Sequence, residues 1–414
     1  MRVLSDLQPN QRNSLLILFA AGLLFWVSMA SLLPTLPLYI EHIGASKQEI
    51  GIVMGAFAIG LLPSRAWLGP LADRRGRKIV LIIGPIVGAI AALGYLLLKT
   101  VPALFFLRAF HGISIAAFTT AFSALVTDLS PIEKRGEIVG YMSLVQPIGV
   151  ALGPALGGFL LESSQNYEPL FYMAAGIGFL SFFSCLPIKE LSQPKPPQTT
   201  SLTPEQTENF WKILWSPAVR IPAFVMLMTG LVFGVLHTFI PLYLKESGAN
   251  LNAGLFYTAA AIASFVIRLL IGRASDRYGR AVFITGSLIC YIVAMLTLWR
   301  ATTAPQFLTA AILEGSASGT IFPMIITLMS DRCLPHERGR FFSLSVGGLD
   351  FGMIMAGPIM GFIAEYTGYR HLFVIAAGLS LVGLVAFTTL SSKTIPLSLR
   401  FALGRYKDIY SVNE

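Results

Sequence analysis

Apolar runs of about 20 residues recur along this chain at short intervals, and few folds accept such a pattern. Each run is long enough to cross a hydrocarbon core of about 30 Å as a helix. Inside a bilayer every backbone N–H and C=O must find a partner within the protein, so only helices and closed barrels cross it. Barrel strands alternate apolar and polar residues. These runs are apolar throughout, so they predict helices. Charge agrees: 12% of the 414 residues are charged, about half the share found in soluble domains.

Twelve spans follow from length and apolarity. They cover 14–40, 47–68, 79–98, 102–129, 135–162, 168–188, 219–245, 250–272, 280–299, 304–331, 338–365 and 370–391. The first run, Ser14 to Ile40, is too long for the core of a signal peptide and reads as an uncleaved span. The longest polar stretch, Lys189 to Ser216, is rich in Pro, Gln, Thr and Ser and predicts a linker. The expected organisation is a six-helix bundle over 1–188, a cytoplasmic linker over 189–216, a second six-helix bundle over 217–392 and a cytoplasmic tail over 393–414.

Loop cations orient the chain. With both termini inside, cytoplasmic segments hold 22 of the 30 Lys and Arg and outer loops hold five. Arg65, Arg108 and Arg268 remain within spans. The net charge of +9 is therefore a topology signal and not a nucleic-acid surface. The cysteines Cys185, Cys290 and Cys333 are far apart, which supports neither a disulfide framework nor a metal site.

The two halves repeat. An offset of 203 relates Arg65 to Arg268, Gly69 to Gly272, Asp73 to Asp276, Gly76 to Gly279, Gly112 to Gly315, Asp128 to Asp331 and Arg135-Gly136 to Arg338-Gly339. An offset of 204 relates Pro37-Leu38-Tyr39 to Pro241-Leu242-Tyr243 and Gly153-Pro154 to Gly357-Pro358. Such matches argue a duplicated bundle. Both halves start inside, so the repeats are parallel, about an axis along the membrane normal.

The segment after span two reads Gly69-Pro-Leu-Ala-Asp73-Arg-Arg-Gly76-Arg77-Lys78. Its glycines permit a tight turn. Asp73 suits the positive N-terminus of a neighbouring helix, and Arg77 can pair with a carboxylate, for which Asp128 is the repeat-matched candidate. This segment resembles the signature loop of the major facilitator superfamily, G-x-L-A-D-R-x-G-R-K. Its echo, Gly272-Arg-Ala-Ser-Asp276-Arg-Tyr-Gly279-Arg280, departs at Ser275 and Ala281. The resemblance implies an all-α membrane protein of two pseudo-symmetric bundles around a central cavity, built mainly by spans one, four, seven and ten. It also implies an inner-side latch at Gly69, Asp73, Gly76, Arg77, Asp128 and Arg135, with Asp276, Gly279, Arg280, Asp331 and Arg338 in the second half. Exposed cations that only set topology are the alternative.

Two further segments resemble motifs of that superfamily. Arg108-Ala-Phe-His111-Gly112 in span four is similar to R-x-x-Q-G, with His111 in place of Gln. Arg108 and His111 share a helix face. An arginine inside a membrane needs a partner or water, so Arg108 is either a structural ion-pair member or part of the transport path. Span five holds Gly149-Val-Ala-Leu-Gly153-Pro154-Ala-Leu-Gly157-Gly158, which resembles the antiporter motif of exporters, G-x-x-x-G-P-x-x-G-G. Small residues every four positions let another helix approach, and Pro154 and Gln146-Pro147 predict bends. Ordinary close packing is the alternative.

Acids within spans are few: Glu314 in span ten and Asp350 in span eleven. An acid in a poorly hydrated place holds its proton more tightly than in water. Glu314, Asp350 and His111 are therefore the proton-coupling candidates, His111 being the repeat mate of Glu314. A structural pairing with a buried arginine is the alternative for each acid. Arg108, Tyr39, His237 and Gln146 are the cavity candidates, with packing or interfacial roles open for Tyr39 and His237. No phosphate-binding loop, H-E-x-x-H or Gly-x-Ser-x-Gly pattern occurs, so no catalytic residue, metal or cofactor is expected.

The resemblance extends to the twelve-span drug/proton antiporters. It implies a monomeric secondary transporter of a cell's inner membrane, exporting small, partly apolar compounds in exchange for protons by alternating access. Uptake, sugar-type efflux, or a sensor of the same fold that moves nothing are the alternatives. The basic C-terminal tail, with Arg400, Arg405 and Lys407, reads as a plain disordered segment, with a resting place on anionic lipid as the alternative.

Overall fold

Prolines decide how two of the spans are built. The computed structural model describes residues 7–131, 134–188, 190, 212–334 and 338–412. Twelve helices among them are long and apolar enough to cross a membrane: Pro9–His42, Lys47–Arg75, Arg77–Leu97, Val101–Leu129, Arg135–Ser164, Glu168–Cys185, Pro217–Ser247, Ala253–Ile271, Arg280–Arg300, Ala304–Asp331, Phe341–Thr367 and Tyr369–Leu390. Span one is broken after Ser31 and resumes at Leu36. Pro34 and Pro37 remove two backbone donors within four residues, and the ring of Pro37 crowds the carbonyl four positions back. Span seven carries Pro241 at the equivalent place but Thr238 where Pro34 would be, and its helix is continuous. Span five is broken at Ser143–Leu144, four residues before Pro147. It passes through Pro154 without a break.

The segment from Gly69 is helical to Arg75, which corrects the expectation of a loop. Only Gly76 leaves the helix, at φ +103°, and its mate Gly279 does so at φ +85°. Helix Lys47–Arg75 starts in a capping box: Ser46 Oγ accepts from Glu49 N at 3.2 Å while Glu49 Oε2 accepts from Ser46 N at 2.8 Å. Most of the expected linker, 191–211, lies outside the described residues, as do the side chains of Asp276 and Arg338.

The chain forms two compact units, one of residues 1–199 with 252–258 and one of 200–251 with 259–414. Within each, glycines bring helix backbones into direct contact. An added Cβ at Gly60 would stand 1.7 Å from Ala109 O, and one at Gly112 would stand 1.8 Å from Phe57 O, so spans two and four touch through their main chains. Spans one and five do the same: a Cβ at Gly153 would lie 2.7 Å from Val27 O and one at Gly157 2.1 Å from Ser31 O. In the second unit Gly315 lies against Ala260 O, joining spans eight and ten. Gly230 and Gly352 lie against Leu349 O and Leu227 O, joining spans seven and eleven. The repeat thus preserves two backbone-contact pairs per half, the membrane counterpart of small-residue packing.

The C-terminal tail differs from the disordered segment expected. A short helix, Ile395–Ala402, follows span twelve. Phe401 packs on Phe387 at 6.1 Å between ring centroids, and Thr285 Oγ1 donates to Ala402 O at 3.0 Å. Arg332, 1% exposed, binds Asp408 through Nε at 2.7 Å and Nη2 at 3.1 Å. Its Nη1 donates to Ala218 O at 2.7 Å, and the rings of Phe401 and Tyr410 lie 5.7 and 5.2 Å from its guanidinium carbon. Val412 N and Ser411 Oγ donate to Asp331 O at 2.9 and 3.2 Å. A buried arginine without its carboxylate is costly, so the tail folds. Asp408→Asn keeps the shape and loses the charge; its expected cost is about 1.5–3 kcal/mol, read as a lower melting temperature of the purified protein.

Candidate functional site

Span four brings its two polar residues into one buried cluster. Arg108 is 8% exposed and His111 1%. Arg108 Nη1 lies 3.3 Å and the Tyr95 hydroxyl 3.1 Å from His111 Nδ1. Arginine can only donate, so Nδ1 accepts and the ring proton sits on Nε2, 3.2 Å from Met29 Sδ. The Arg108 guanidinium stands 4.4 Å from the Phe57 ring centroid, a cation–π contact. Its Nε has no hydrogen-bond partner, and no carboxylate pairs with it among the described residues. Gly112, against the Phe57 carbonyl, is what lets span two come this close.

Tyr95 has a second role. It lines a cavity of about 430 Å³ with Tyr39, His42, Lys99, Tyr167 and Phe171. One residue therefore belongs both to that cavity and to the hydrogen-bond set of His111. Tyr39, expected at a solute cavity, is buried, and its hydroxyl donates to Tyr95 O at 2.8 Å. Its repeat mate Tyr243 donates to Leu298 O at 3.1 Å and Ala301 O at 3.0 Å. Both tyrosines tie one end of a span to the end of another.

In the second unit Glu314 is 6% exposed, and its Oε1 has no hydrogen-bond partner. The Tyr291 hydroxyl, equally buried, has none either and lies within the electrostatic reach of Glu314. Ser318 is near both, but its hydroxyl donates to Gly315 O at 3.2 Å. Burial of an unpartnered carboxyl is costly, and a bound proton, a water or a polar group that a solute brings each relieves that cost. Asp350, expected deep in span eleven, is half-buried. Gln146 is exposed. His237 donates from Nδ1 to Phe233 O at 2.9 Å within its own helix, and its ring lies tilted against that of Phe233 with centroids 3.9 Å apart.

Arg77 and Asp128 form an ion pair, and Arg77 also donates to Ala124 O at 3.1 Å. The repeat places Arg280 against Asp331 at 3.6 Å. Asp73 and Arg135 are exposed. Glu190 was not anticipated: its carboxylate accepts from Lys78 N beside Gly76 and so caps the start of span three. The glycines of the antiporter-like segment divide between two neighbours. Gly149, Gly153 and Gly157 seat span one. On another face, Thr258 Oγ1 donates to Ala151 O at 2.8 Å and Asn252 Nδ2 to Glu162 Oε2 at 2.7 Å, with Gly254 against Pro154 O and Gly158 against Asn252.

The family profile described as Major Facilitator Superfamily matches residues 18–299 and 248–403. The chain belongs to this superfamily. It is a multi-pass membrane transporter of small molecules. It is 27% identical over 407 residues to the multidrug resistance protein MdtG of Escherichia coli O6:K15:H31 (strain 536 / UPEC), covering 95% of this chain and 98% of that one. Among solved structures it is similar to a mutant form of the nucleoside transporter NupG, with TM-score 0.78 and 19% identity over 90% of this chain and 98% of that one. It is also similar to a bacterial homologue of the human lysosomal transporter Spinster, with TM-score 0.74 and 15% identity over 97% and 99%. These likenesses carry the fold, which is all-α with twelve spans.

Proposed function

We propose that this transporter exports small, partly apolar organic compounds in exchange for protons, by alternating access. The observation that carries the reading is Glu314, a buried carboxyl with one unpartnered oxygen inside a span. The likeness to a protein named for multidrug resistance supports the class of solute. In this reading Glu314 is the first candidate for the proton site, Asp350 and His111 the others, and Arg108 a cavity cation. The Arg77–Asp128 and Arg280–Asp331 pairs, with Asp73, Gly76, Arg135 and Gly279, form an inner-side gate. Two bundles, 1–188 and 217–392, rock about the site as a monomer.

Solute flux in proteoliposomes tests the whole reading. An outward solute flux driven by an inward proton gradient is the expected result. Flux of the opposite sign would identify uptake, and no flux for any compound class would leave a sensor.

We also propose that both termini, the 189–216 linker and the 393–414 tail are cytoplasmic, from the charge bias of 22 to 5. Cys333 is 1% exposed and so a poor reporter. Exposed positions serve instead. In intact cells a membrane-impermeant thiol reagent should modify Lys99→Cys, and it should modify Tyr406→Cys only after permeabilisation. The reverse pattern overturns the topology.

A further inference from the structure

Helix Ile395–Ala402 is held on one face and bare on the other. Ser398, Phe401 and Ala402 are buried. Ile395, Leu399 and Leu403, four residues apart and hence on one side of the helix, are 56%, 44% and 56% exposed. The contacts of Phe401 with Phe387, of Thr285 with Ala402 O, and of Arg332 with Asp408 stop the helix from rolling to hide that stripe.

Its place follows from the chain. Span twelve ends at Leu390 and the helix starts five residues later. At no more than about 3.6 Å per residue, it starts close to where that span leaves the bilayer. Its charge is one-sided as well. Lys393, Arg400, Arg405 and Lys407 are exposed. The only acid between 391 and 412, Asp408, turns inward onto Arg332. An apolar stripe set among cations at the surface of a bilayer matches the boundary between acyl chains and anionic headgroups.

We propose that Ile395–Ala402 and its flanking cations form an interfacial platform that binds anionic phospholipid in the leaflet where span twelve emerges. The stripe enters the acyl boundary, and Lys393, Arg400 and Arg405 meet the headgroup phosphates. The platform is independent of what the protein transports.

The test uses the full chain with Cys185, Cys290 and Cys333 replaced by serine and a single Leu399→Cys bearing an environment-sensitive fluorophore. Melting temperature checks that the fold survives, and Leu403→Cys serves as a second reporter. The protein is reconstituted in phosphatidylcholine with or without phosphatidylglycerol, and spin-labelled forms of each lipid are the quenchers. Buried-type emission is expected, with stronger quenching by labelled phosphatidylglycerol. At low salt that preference should fall roughly fivefold for each cation lost along the series Lys393→Gln, Arg400→Gln and Arg405→Gln. Water-like, unquenched emission at both reporters overturns the platform. Equal quenching by the two lipids, or an undiminished preference in the triple variant, overturns the recognition of anionic headgroups.

Discussion

Glu314→Gln is expected to abolish pH-driven accumulation while leaving solute exchange. Glutamine keeps the volume of the side chain and a carbonyl acceptor, but it cannot carry an exchangeable proton. In the native chain the acid is 6% exposed with one oxygen unpartnered, and the unpartnered Tyr291 hydroxyl lies within its electrostatic reach. The energy at stake is large. One charge moved through 100 mV is worth about 2.3 kcal/mol, and about 1.4 kcal/mol is a factor of ten. One proton can therefore sustain roughly a 50-fold gradient of a neutral solute, and the variant should fall to no gradient. Asp350→Asn, at a half-buried position, is expected to do less. The check is transport in proteoliposomes with and without an imposed pH gradient. Full pH-driven accumulation in Glu314→Gln, and in the double variant with Asp350→Asn, would remove both acids as proton carriers.

Gly112→Ala is expected to be, with Gly60→Ala, among the most damaging of the small substitutions. The added Cβ would stand 1.8 Å from Phe57 O and 2.9 Å from Leu61 N. Both are main-chain atoms, so no rotamer change relieves the clash, and span two or span four must move. Overpacking typically costs about 1–3 kcal/mol, and a backbone clash this short belongs at or above the upper end. Any shift of span two also moves Phe57 off Arg108 and His111, so transport should fall with stability. Gly140→Ala is the control, because nothing lies within 4 Å of its added Cβ. A melting temperature of purified Gly112→Ala equal to that of wild type would contradict the packing account.

The spans and the superfamily are legible in the sequence because a bilayer imposes long apolar runs and places cations in the loops. The repeat names Asp128 as a partner for Arg77, and the structure pairs them. The surroundings of Arg108 and His111 are not legible. Tyr95, Met29 and Phe57 come from three other spans, and no periodicity links them. The same holds for Tyr291 beside Glu314. The backbone tie of Tyr39 is half legible. Its repeat with Tyr243 is visible, but a tyrosine repeated at the end of a span suits a tie to backbone as well as a solute contact. The folded tail has one faint signal, the lone Asp408 in a basic segment. Its partner lies 76 residues away, beyond any local rule.

The glycine contacts also have a mechanical consequence. Where a glycine sets one helix main chain directly on another, little side chain lies at that point to re-pack, so the two helices tend to move there as one beam. Spans one with five, two with four, seven with eleven and eight with ten are four such beams. Any working stroke has to be taken up elsewhere, at joints with missing hydrogen bonds. Span one has such a joint between Ser31 and Leu36, and span seven, its repeat mate, has none. The two halves of the machine are alike in plan but unequal in continuity, with the additional break in the first.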